Sequence, residues 1–315
     1  MKAEVSIIGG GVWGRALAWV FANNGELLIY SLPTAPVEVD DPRIQVSYEL
    51  ESLRGTKYLF LVVPCASVRE VCKNLELIID KACKIIICSK GIEPATGLLM
   101  SEVVGEFFPK EHIAVLSGPN FASEILNDLP AITSIVSDHH NLSNELARKF
   151  TTENFKLIPA TNIIMAQLFG AVKNVIAILC GAARGLALGE NFAAAIVTNG
   201  VKEIMKLAAT KNASEGSLIL EPAGIGDIFL TCSSTTSRNN KFGLDLVTKY
   251  IGKNHQEIFA LEPVTIEGVS TILALKNWDI QLPLMTFAHN AISAKYKDKK
   301  ELIHELQTVV FKNHE

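Results

Sequence analysis

Short, largely apolar runs recur at intervals through the first half of the chain. They are Val5–Ile8, Leu27–Tyr30, Tyr58–Val63, Lys84–Cys88, Ile113–Leu116 and Ile132–Val136. Apolar residues at helical spacing fill the stretches between these runs. Strands that are apolar on both faces belong in a parallel sheet that is covered by helices on both sides. The first half is therefore predicted to be a doubly wound α/β domain.

The pattern changes after Pro159-Ala160-Thr161, because β-rich runs no longer occur and helical spacing continues to the end of the sequence. The predicted helices cover Ile163–Leu188, Phe192–Thr210, a piece after Asp227, Ser237–Tyr250, Thr265–Lys276, Pro283–Lys295 and Glu301–Phe311. A chain of 315 residues also has the length of about two domains. We predict two domains, residues 1–160 and an all-helical domain of residues 161–315.

Composition excludes several classes of protein. Apolar residues make up 49% of the chain and charged residues 20%, which excludes a disordered chain. The net charge of -4 gives no general attraction for phosphate backbones, so we expect no nucleic-acid partner, and an anionic ligand would need a local basic pocket. The cysteines form no Cys-x-x-Cys pair and the histidines lack ligand spacing, which predicts reduced thiols, a cytoplasmic location and no metal. The longest apolar stretch, Ile163–Leu188, contains four polar or charged residues and is interpreted as a buried helix rather than a membrane span.

A glycine-rich turn, Gly9-Gly10-Gly11-Val12-Trp13-Gly14, directly follows the first predicted strand. It has G-x-G-x-x-G spacing, and a helical pattern follows it. Gly9 is expected to make the tight turn, Gly11 to let the backbone approach a pyrophosphate, and Gly14 to let helix and strand pack closely. The N-terminus of the helix would offer its N–H groups to the phosphates. The sequence thus predicts a Rossmann-type dinucleotide site with contacts at Gly9, Gly11, Val12, Trp13 and Gly14.

The second predicted strand ends in Tyr30-Ser31-Leu32-Pro33, and no carboxylate follows until Glu38. An enzyme specific for NAD usually places Asp or Glu here on the ribose hydroxyl. Its absence removes repulsion against a 2′-phosphate, yet no arginine stands here to bind one. The predicted cofactor is NAD(H) or NADP(H), with both left open.

Seven segments, in a single order along the chain, are similar to segments of one enzyme family. They are residues 9–18, Val62-Val63-Pro64, residues 89–97, residues 116–124, residues 171–175, residues 223–227 and residues 237–243. Through them the chain resembles the bacterial NAD(P)-dependent glycerol-3-phosphate dehydrogenases over essentially its whole length. It departs from the family at Asn199, where arginine is usual, at Glu221-Pro222, where Gly-Leu is usual, and after the second strand, which lacks the usual Trp and basic residue. Cofactor preference and local loop shape are the properties that these departures affect.

The resemblance implies a cytoplasmic, homodimeric oxidoreductase that interconverts dihydroxyacetone phosphate and sn-glycerol 3-phosphate by hydride transfer. It also implies a role in supplying glycerol 3-phosphate for phospholipid synthesis. Two alternatives keep the same architecture: a related two-domain dehydrogenase of another hydroxy acid, and a non-catalytic dinucleotide sensor. The presence of both Lys173 and Asp227 argues against the sensor, which needs neither residue.

Lys173 stands in the middle of an apolar predicted helix, with Gly170 leaving room beside it. One explanation is a lysine that extends along an apolar surface to a domain boundary. The resemblance implies another, in which Lys173 is the acid/base group on the substrate oxygen. Ketone reduction needs a proton on that oxygen, and a lysine with an ordinary pKa of ~10.4 is charged at neutral pH. Asp227 follows two glycines and is either a helix cap or, as the resemblance implies, the residue that orients the lysine or holds the substrate hydroxyl.

Ser237-Arg238-Asn239 begin a predicted helix after a hydroxyl-rich stretch, an arrangement that suits a phosphate monoester. The resemblance places Arg238 between substrate phosphate and cofactor. The predicted substrate contacts are Lys90, Gly118, Asn120, Lys173, Asp227, Ser237, Arg238 and Asn239. Further predicted cofactor contacts are Lys90, Ala122, Arg238, Thr265 and Glu267. The alternative interpretations are a plain helix cap with a solvated arginine, a solvated loop lysine at Lys90 and a surface acid at Glu267.

Overall fold

The computed structural model describes residues 3–213, 217–262 and 265–312. Within this part of the chain, eight strands form one sheet. The strands are β1 (Val5–Ile8), β2 (Leu27–Tyr30), β3 (Ile44–Ser47), β4 (Tyr58–Leu61), β5 (Lys84–Ile87), β6 (Ile113–Ser117), β7 (Ala131–Val136) and β8 (Phe155–Ala160).

The strand order in the sheet is β3-β2-β1-β4-β5-β6-β7-β8. Neighbouring strands run parallel except β6 and β7, which are antiparallel. The chain builds outward from β1 to β3 and then returns to the other side of β1 to form β4. In an open parallel sheet, such a reversal creates a ligand-binding crevice at the carboxyl ends of the strands. The order and the mostly parallel pairing confirm the predicted doubly wound sheet.

Two strands, β3 and β8, are not predicted by the apolar runs of the sequence. Both lie at an edge of the sheet, where only part of each strand is buried. Gln45 interrupts the apolar pattern of β3, and Lys156 and Pro159 interrupt that of β8. An edge strand tolerates proline and polar residues because one side of it has no neighbouring strand, so a search for wholly apolar runs overlooks it.

Described residues form thirteen α-helices and several short 3₁₀ turns. Five helices accompany the sheet: α1 (Val12–Phe21), α2 (Val68–Glu76), α3 (Met100–Val104), α4 (Ala122–Leu126) and α5 (His140–Phe150). Eight helices follow it: α6 (Ile163–Gly185), α7 (Glu190–Thr210), α8 (Asp227–Ser233), α9 (Arg238–Thr248), α10 (His255–Leu261), α11 (Glu267–Ala274), α12 (Pro283–Ile292) and α13 (Lys299–Lys312). The 3₁₀ turns are Ala22–Asn24, Leu50–Leu53, Cys65–Ser67, Lys110–His112, Ser217–Leu220 and Leu275–Asn277.

The predicted all-helical second half is confirmed, and its helices differ from the predicted ones mainly at their ends. The exception is α10, which the apolar spacing does not predict. This helix has seven residues and buries only Ile258, so it shows little periodicity. Its start is instead marked by a capping box, in which Asn254 and Glu257 bond to each other's backbone N–H groups.

Helix α6 is apolar enough to resemble a membrane span. Among the described residues it is the one helix that could cross a membrane by length and composition, but 94% of its most apolar stretch is buried inside the protein. A helix buried to this extent is typical of the core of a folded domain.

The chain packs into two compact units, each made of several segments. Described residues within 1–90, 99–167 and 216–224 belong to the first unit, and those within 91–98, 168–215 and 225–315 belong to the second. The chain therefore passes from one unit to the other several times. The predicted domain boundary between residues 160 and 161 stays a prediction.

In the first unit, aromatic rings pack between the sheet and its helices. The ring of Phe21 on α1 lies 4.7 Å from that of Phe60 on β4 and 5.0 Å from that of Phe150 on α5, measured between centroids. All three side chains are almost fully buried. Contacts of this kind fix α1, and with it the turn that precedes it, on the sheet.

In the second unit, a fully buried carboxylate connects α7 to α12. Glu203 accepts hydrogen bonds from the backbone N–H groups of Leu284 at 2.6 Å and Met285 at 3.1 Å. These residues stand in the first turn of α12, whose N–H groups have no carbonyl partner within the helix. The negative charge also lies at the positive end of the helix dipole. Glu203 therefore both accepts hydrogen bonds from the unpaired N–H groups and stabilises the dipole of α12.

We expect the Glu203→Ala variant to lose about 2–4 kcal/mol of unfolding free energy, because two buried N–H donors then lack an acceptor. Urea denaturation of the variant beside the unsubstituted protein measures this loss. The control is Lys206→Ala on the same helix, where the side chain is exposed and a change within about 0.5 kcal/mol is expected. Equal denaturation of all three proteins would contradict the capping role.

Candidate active site

The glycine-rich turn joins β1 to α1 in the first unit. Gly9 has a φ of +106°, and a Cβ atom there would lie 2.1 Å from the carbonyl oxygen of Val62. Only glycine fits this position. A Cβ atom on Gly14 would lie 1.9 Å from the carbonyl oxygen of Gly9, so helix and turn touch there directly. This is the geometry that the G-x-G-x-x-G spacing predicts for its first and third glycines.

The backbone at the start of α1 is open to a ligand. Apart from the two chain neighbours of Gly11, no described residue has an atom within 4 Å of the place where a Cβ on Gly11 would stand. No described side chain caps the helix, and its first turn contains no acidic residue. The positive end of the helix dipole and the first N–H groups, at Val12 and Trp13, therefore remain available for an anion. A dinucleotide pyrophosphate fits this turn.

The segment after β2 offers neither of the groups that usually select the cofactor. Ser31 is buried and donates its hydroxyl to the carbonyl oxygen of Ala35 at 2.9 Å. The next arginine along the chain, Arg43, pairs with Asp41 at 2.6 Å. Its hydrogen bond lowers the pKa of Asp41 to about 2. Neither the acid typical of NAD enzymes nor an arginine for a 2′-phosphate directly follows the strand, so this segment does not discriminate between NAD(H) and NADP(H).

Three predicted substrate contacts lie together beyond the carboxyl ends of β5 and β6. Lys90 donates a hydrogen bond from Nζ to the carbonyl oxygen of Gly118 at 3.1 Å. Asn120 donates from Nδ2 to the hydroxyl oxygen of Thr133 at 3.0 Å. The buried Oδ1 of Asn120 accepts no hydrogen bond from the described residues. A buried oxygen without a donor is costly, so this atom suits a hydroxyl supplied by a ligand. Ala122, a predicted cofactor contact, begins α4 a short distance along the chain.

Lys173 is the charged centre of the second unit. It lies on α6 and is 7% exposed, so its side chain does not extend into solvent. Its Nζ donates to Oδ1 of Asp227 at 2.5 Å and to the hydroxyl oxygen of Thr231 at 2.8 Å. Asp227, the first residue of α8, is 1% exposed. The structure therefore brings together the two predicted catalytic residues as a buried ion pair, and the carboxylate favours the charged form of the lysine.

Thr231 belongs to this cluster although it is not among the residues predicted from the sequence. Its hydroxyl accepts from Lys173 and donates to the carbonyl oxygen of Asp227 at 2.7 Å. Residues four apart share one face of a helix, so Asp227 and Thr231 both face α6. The Asp-x-x-x-Thr spacing at the start of a predicted helix shows only that the two side chains share a face, and it does not identify Lys173 as their partner.

The buried thiol beside the cluster of Lys173, Asp227 and Thr231 is uncharged. Cys232 follows Thr231 and is buried, with its thiol 3.9 Å from the carbonyl oxygen of Lys173. A hydrogen bond with Cys180, together with burial, raises the pKa of the Cys232 thiol well above its ordinary value. The thiol therefore stays neutral at physiological pH and adds no second negative charge beside Asp227.

A chain of amide hydrogen bonds connects α6, α9 and α11. Asn174, next to Lys173, donates to Oε2 of Glu267 at 3.2 Å and accepts at its Oδ1 from Nδ2 of Asn239 at 3.0 Å. The Oδ1 of Asn239 accepts from the backbone N–H of Gly268 at 3.0 Å. Asn239, a predicted substrate contact, is thus buried and engaged within the protein. Asn174 is a second site residue that is not predicted from the sequence.

Ser237 and Arg238 form the start of α9. The hydroxyl oxygen of Ser237 caps the helix by accepting from the N–H of Asn240 at 3.3 Å. Arg238 is exposed, and its side chain makes no hydrogen bond or ion pair with another described residue. Its guanidinium group is therefore available for an anion. Thr265, a predicted cofactor contact, is exposed ahead of α11.

The predicted site residues thus fall into two sets. Gly9, Gly11, Val12, Trp13, Gly14, Lys90, Gly118, Asn120 and Ala122 belong to the first unit, and Lys173, Asp227, Ser237, Arg238, Asn239, Thr265 and Glu267 to the second. Their contacts with cofactor and substrate stay predictions.

Comparison with known proteins identifies the family. Residues 41–143 match the family model for the NAD-dependent glycerol-3-phosphate dehydrogenase N-terminus, and residues 162–304 match the model for its C-terminus. The chain is similar to the glycerol-3-phosphate dehydrogenase [NAD(P)+] of Neorickettsia sennetsu, with 34% identity over 85% of this chain and 82% of that protein. It is also similar to the protein of the same name from Zymomonas mobilis, with 32% identity over 93% of this chain and 89% of that protein.

A solved structure agrees with these matches. The crystal structure of glycerol-3-phosphate dehydrogenase from Coxiella burnetii superposes with a TM-score of 0.85 at 28% identity, covering 97% of this chain and 99% of that one. The chain belongs to the NAD-dependent glycerol-3-phosphate dehydrogenase family.

Proposed function

We propose that this protein reduces dihydroxyacetone phosphate to sn-glycerol 3-phosphate, and catalyses the reverse oxidation, with NAD(H) or NADP(H). The observation that carries the proposal is the buried ion pair of Lys173 and Asp227 in a chain of this family. Membership of the family supports the substrate and the cofactor. The buried pair supports a proton transfer at a ketone oxygen.

The turn between β1 and α1 holds the pyrophosphate of the cofactor. Gly11 allows the backbone to come close, and the N–H groups at the start of α1 bind the phosphate oxygens. When bound, the cofactor supplies the hydride that is added to the carbonyl carbon of the substrate. The protein's own part is to orient the reactants and to move the proton.

Lys173 delivers that proton. As an ammonium group it donates to the ketone oxygen while the hydride adds to carbon, so the product is an alcohol and the lysine is left as a neutral amine. In the oxidising direction the neutral amine takes the proton back. Asp227 and Thr231 orient Nζ through their hydrogen bonds and stabilise the charged form before reduction.

Positively charged side chains and hydrogen-bonding groups bind the rest of the substrate. The exposed guanidinium of Arg238 and the first turn of α9 bind the phosphate monoester, a pairing that arginine makes with two hydrogen bonds. The hydroxyl group of the substrate donates to the unpaired Oδ1 of Asn120, and Lys90 contacts substrate and cofactor. Such local charges are sufficient for a dianion on a protein whose net charge is -4.

Following the absorbance of the reduced cofactor with dihydroxyacetone phosphate, using NADH and NADPH in turn, tests the function. We expect turnover with the phosphorylated ketone and little with dihydroxyacetone, because the latter leaves the anion site empty. Preference for another hydroxy acid would support the related dehydrogenase instead. Cofactor binding without turnover of any such substrate would contradict an enzymatic role and favour a sensor.

Replacing the proton donor should stop the chemistry but not the binding of cofactor. We expect Lys173→Ala to lower kcat by about 10²–10⁴-fold, the usual contribution of a general acid. Fluorescence titration with the reduced cofactor should give an unchanged dissociation constant, because Lys173 lies outside the glycine-rich turn. Lys206→Ala on the exposed face of α7 is the matched control and should behave as the unsubstituted protein.

Because the variant removes one member of a buried ion pair, thermal denaturation is followed on the same samples. A folded Lys173→Ala protein with near-normal kcat would remove Lys173 from the mechanism.

The two reaction directions should respond differently to pH. Reduction needs the ammonium form of Lys173 and oxidation needs the neutral amine. Raising the pH increases the neutral fraction, so kcat/KM for oxidation of glycerol 3-phosphate should rise towards alkaline pH, whereas that for ketone reduction should not. Profiles measured in both directions that run in parallel would contradict this assignment.

The proposal extends to the protein's setting. We place the enzyme in the cytoplasm as a homodimer that supplies glycerol 3-phosphate for phospholipid synthesis. The support is the resemblance to the bacterial family, and the burial of α6 fits a protein that does not span the membrane. Sedimentation of the purified protein as single chains would contradict the dimer.

A further inference from the structure

The loop that follows Lys90 is closed by its own hydrogen bonds. The N–H of Glu93 donates to the carbonyl oxygen of Leu98 at 2.8 Å, and the N–H of Gly97 donates to the carbonyl oxygen of Glu93 at 2.8 Å. The hydroxyl of Thr96 donates to the buried carboxylate of Glu93 at 2.5 Å. Residues 91–98 thus form one compact loop, and the proposed function uses only Lys90 in the segment Ser89–Gly97.

Two consecutive side chains just after α11 hold this loop, and we name them the clamp. Trp278 donates from Nε1 to the carbonyl oxygen of Gly97 at 2.9 Å. Asn277 donates from Nδ2 to the carbonyl oxygen of Pro94 at 3.0 Å. Gly97 has a φ of +74°, and a Cβ atom on it would lie 3.0 Å from Cβ of Asn277. Glycine at this position therefore permits both the turn and the close approach of the clamp.

The clamp is itself held in place. The ammonium group of Lys211 lies 5.1 Å from the centroid of the Trp278 ring, within the range of a cation–π contact. The backbone N–H of Trp278 also donates to the carbonyl oxygen of Leu275 at 3.1 Å. The indole N–H therefore points to Gly97 from a ring whose own position is restricted.

The clamped loop, residues 91–98, begins at the residue after Lys90. Residues 91–98 pack with the second unit, whereas Lys90 and Leu99 on either side belong to the first. Lys90 donates to the carbonyl oxygen of Gly118. Because Gly91 follows Lys90 directly, the clamped loop anchors the backbone on the C-terminal side of the lysine.

We infer that Trp278 and Asn277 are positioning residues for Lys90, which they fix through the loop of residues 91–98. This inference rests on the proposed function, because the placement of Lys90 matters for turnover only if Lys90 contacts the substrate and cofactor. The side-chain hydrogen bonds of the clamp go to the backbone of the loop, so the clamp acts on Lys90 through the chain itself.

The test starts with Trp278→Phe, which keeps an aromatic ring for Lys211 and removes the indole N–H. The KM for dihydroxyacetone phosphate should rise about fivefold, the factor expected for one lost hydrogen bond, with kcat little changed. Trp19→Phe is the matched control, since Trp19 is 39% exposed on α1, and its KM should not change. If Trp278→Phe does not fold, Asn277→Ala removes the other bond of the clamp and is measured in its place.

Lys90→Ala provides the decisive comparison. If the clamp acts through Lys90, adding Trp278→Phe to Lys90→Ala should raise the KM no further. Effects that multiply, or a folded Trp278→Phe protein with an unchanged KM, would overturn the inference. Absence of turnover in the unsubstituted protein would instead overturn the proposed function.

Hydrogen exchange on the protein without ligands tests the clamp independently of activity. The amides of Glu93 and Gly97 should exchange faster in Trp278→Phe than in the unsubstituted protein and in Trp19→Phe. Equal exchange in all three proteins would show that the indole N–H does not hold the loop and would overturn the inference.

Discussion

The ion pair between Lys173 and Asp227 is the interaction on which the second unit is built. Removing a lysine and a carboxylate from water costs several kcal/mol for each ion, and only close contact with further hydrogen bonds offsets this cost. The protein supplies them through Thr231, whose hydroxyl joins the ammonium group to the backbone of α8. The pair therefore fixes how α8 lies on α6. Because the pair is buried, the attraction between its two charges is stronger than it would be in water.

Two consecutive polar residues of α6 connect it to different neighbours. Successive residues of a helix point about 100° apart, so Lys173 and Asn174 face separate elements. Lys173 bonds to α8, while Asn174 bonds to Glu267 on α11 and to Asn239 on α9. The start of α9, where Arg238 stands, is thereby tied to the helix that carries the proposed proton donor. Lys173 and the proposed phosphate-binding Arg238 are thus each next in sequence to a residue of the Asn174–Asn239 hydrogen bond within the second unit.

The parts of the structure that the sequence predicts well are those with local causes. The turn at Gly9 and Gly14 follows from sterics within a few residues, and the central strands follow from burial on both faces. The edge strand β8 is missed because its partial exposure admits Lys156 and Pro159. Thr231 and Asn174 are missed for another reason, since their partners lie far along the chain: Thr231 is 58 residues from Lys173, and Asn174 is 93 from Glu267. The sequence does not show whether a polar side chain in a helix bonds to water or to a residue far along the chain.

The glycine-rich turn and the cluster around Lys173 depend on opposite features, and this has a consequence for specificity. The glycine-rich turn requires residues that have no side chain, because a Cβ atom on Gly9 or Gly14 would collide with the backbone. Such a site recognises phosphate through backbone groups, which is compatible with many different substrates. The second unit depends on particular side chains in fixed contact, among them Lys173, Asp227 and Thr231. Because α8 and α9 contribute no residue to the turn, substitutions along them alter the proposed substrate contacts and leave the turn unchanged.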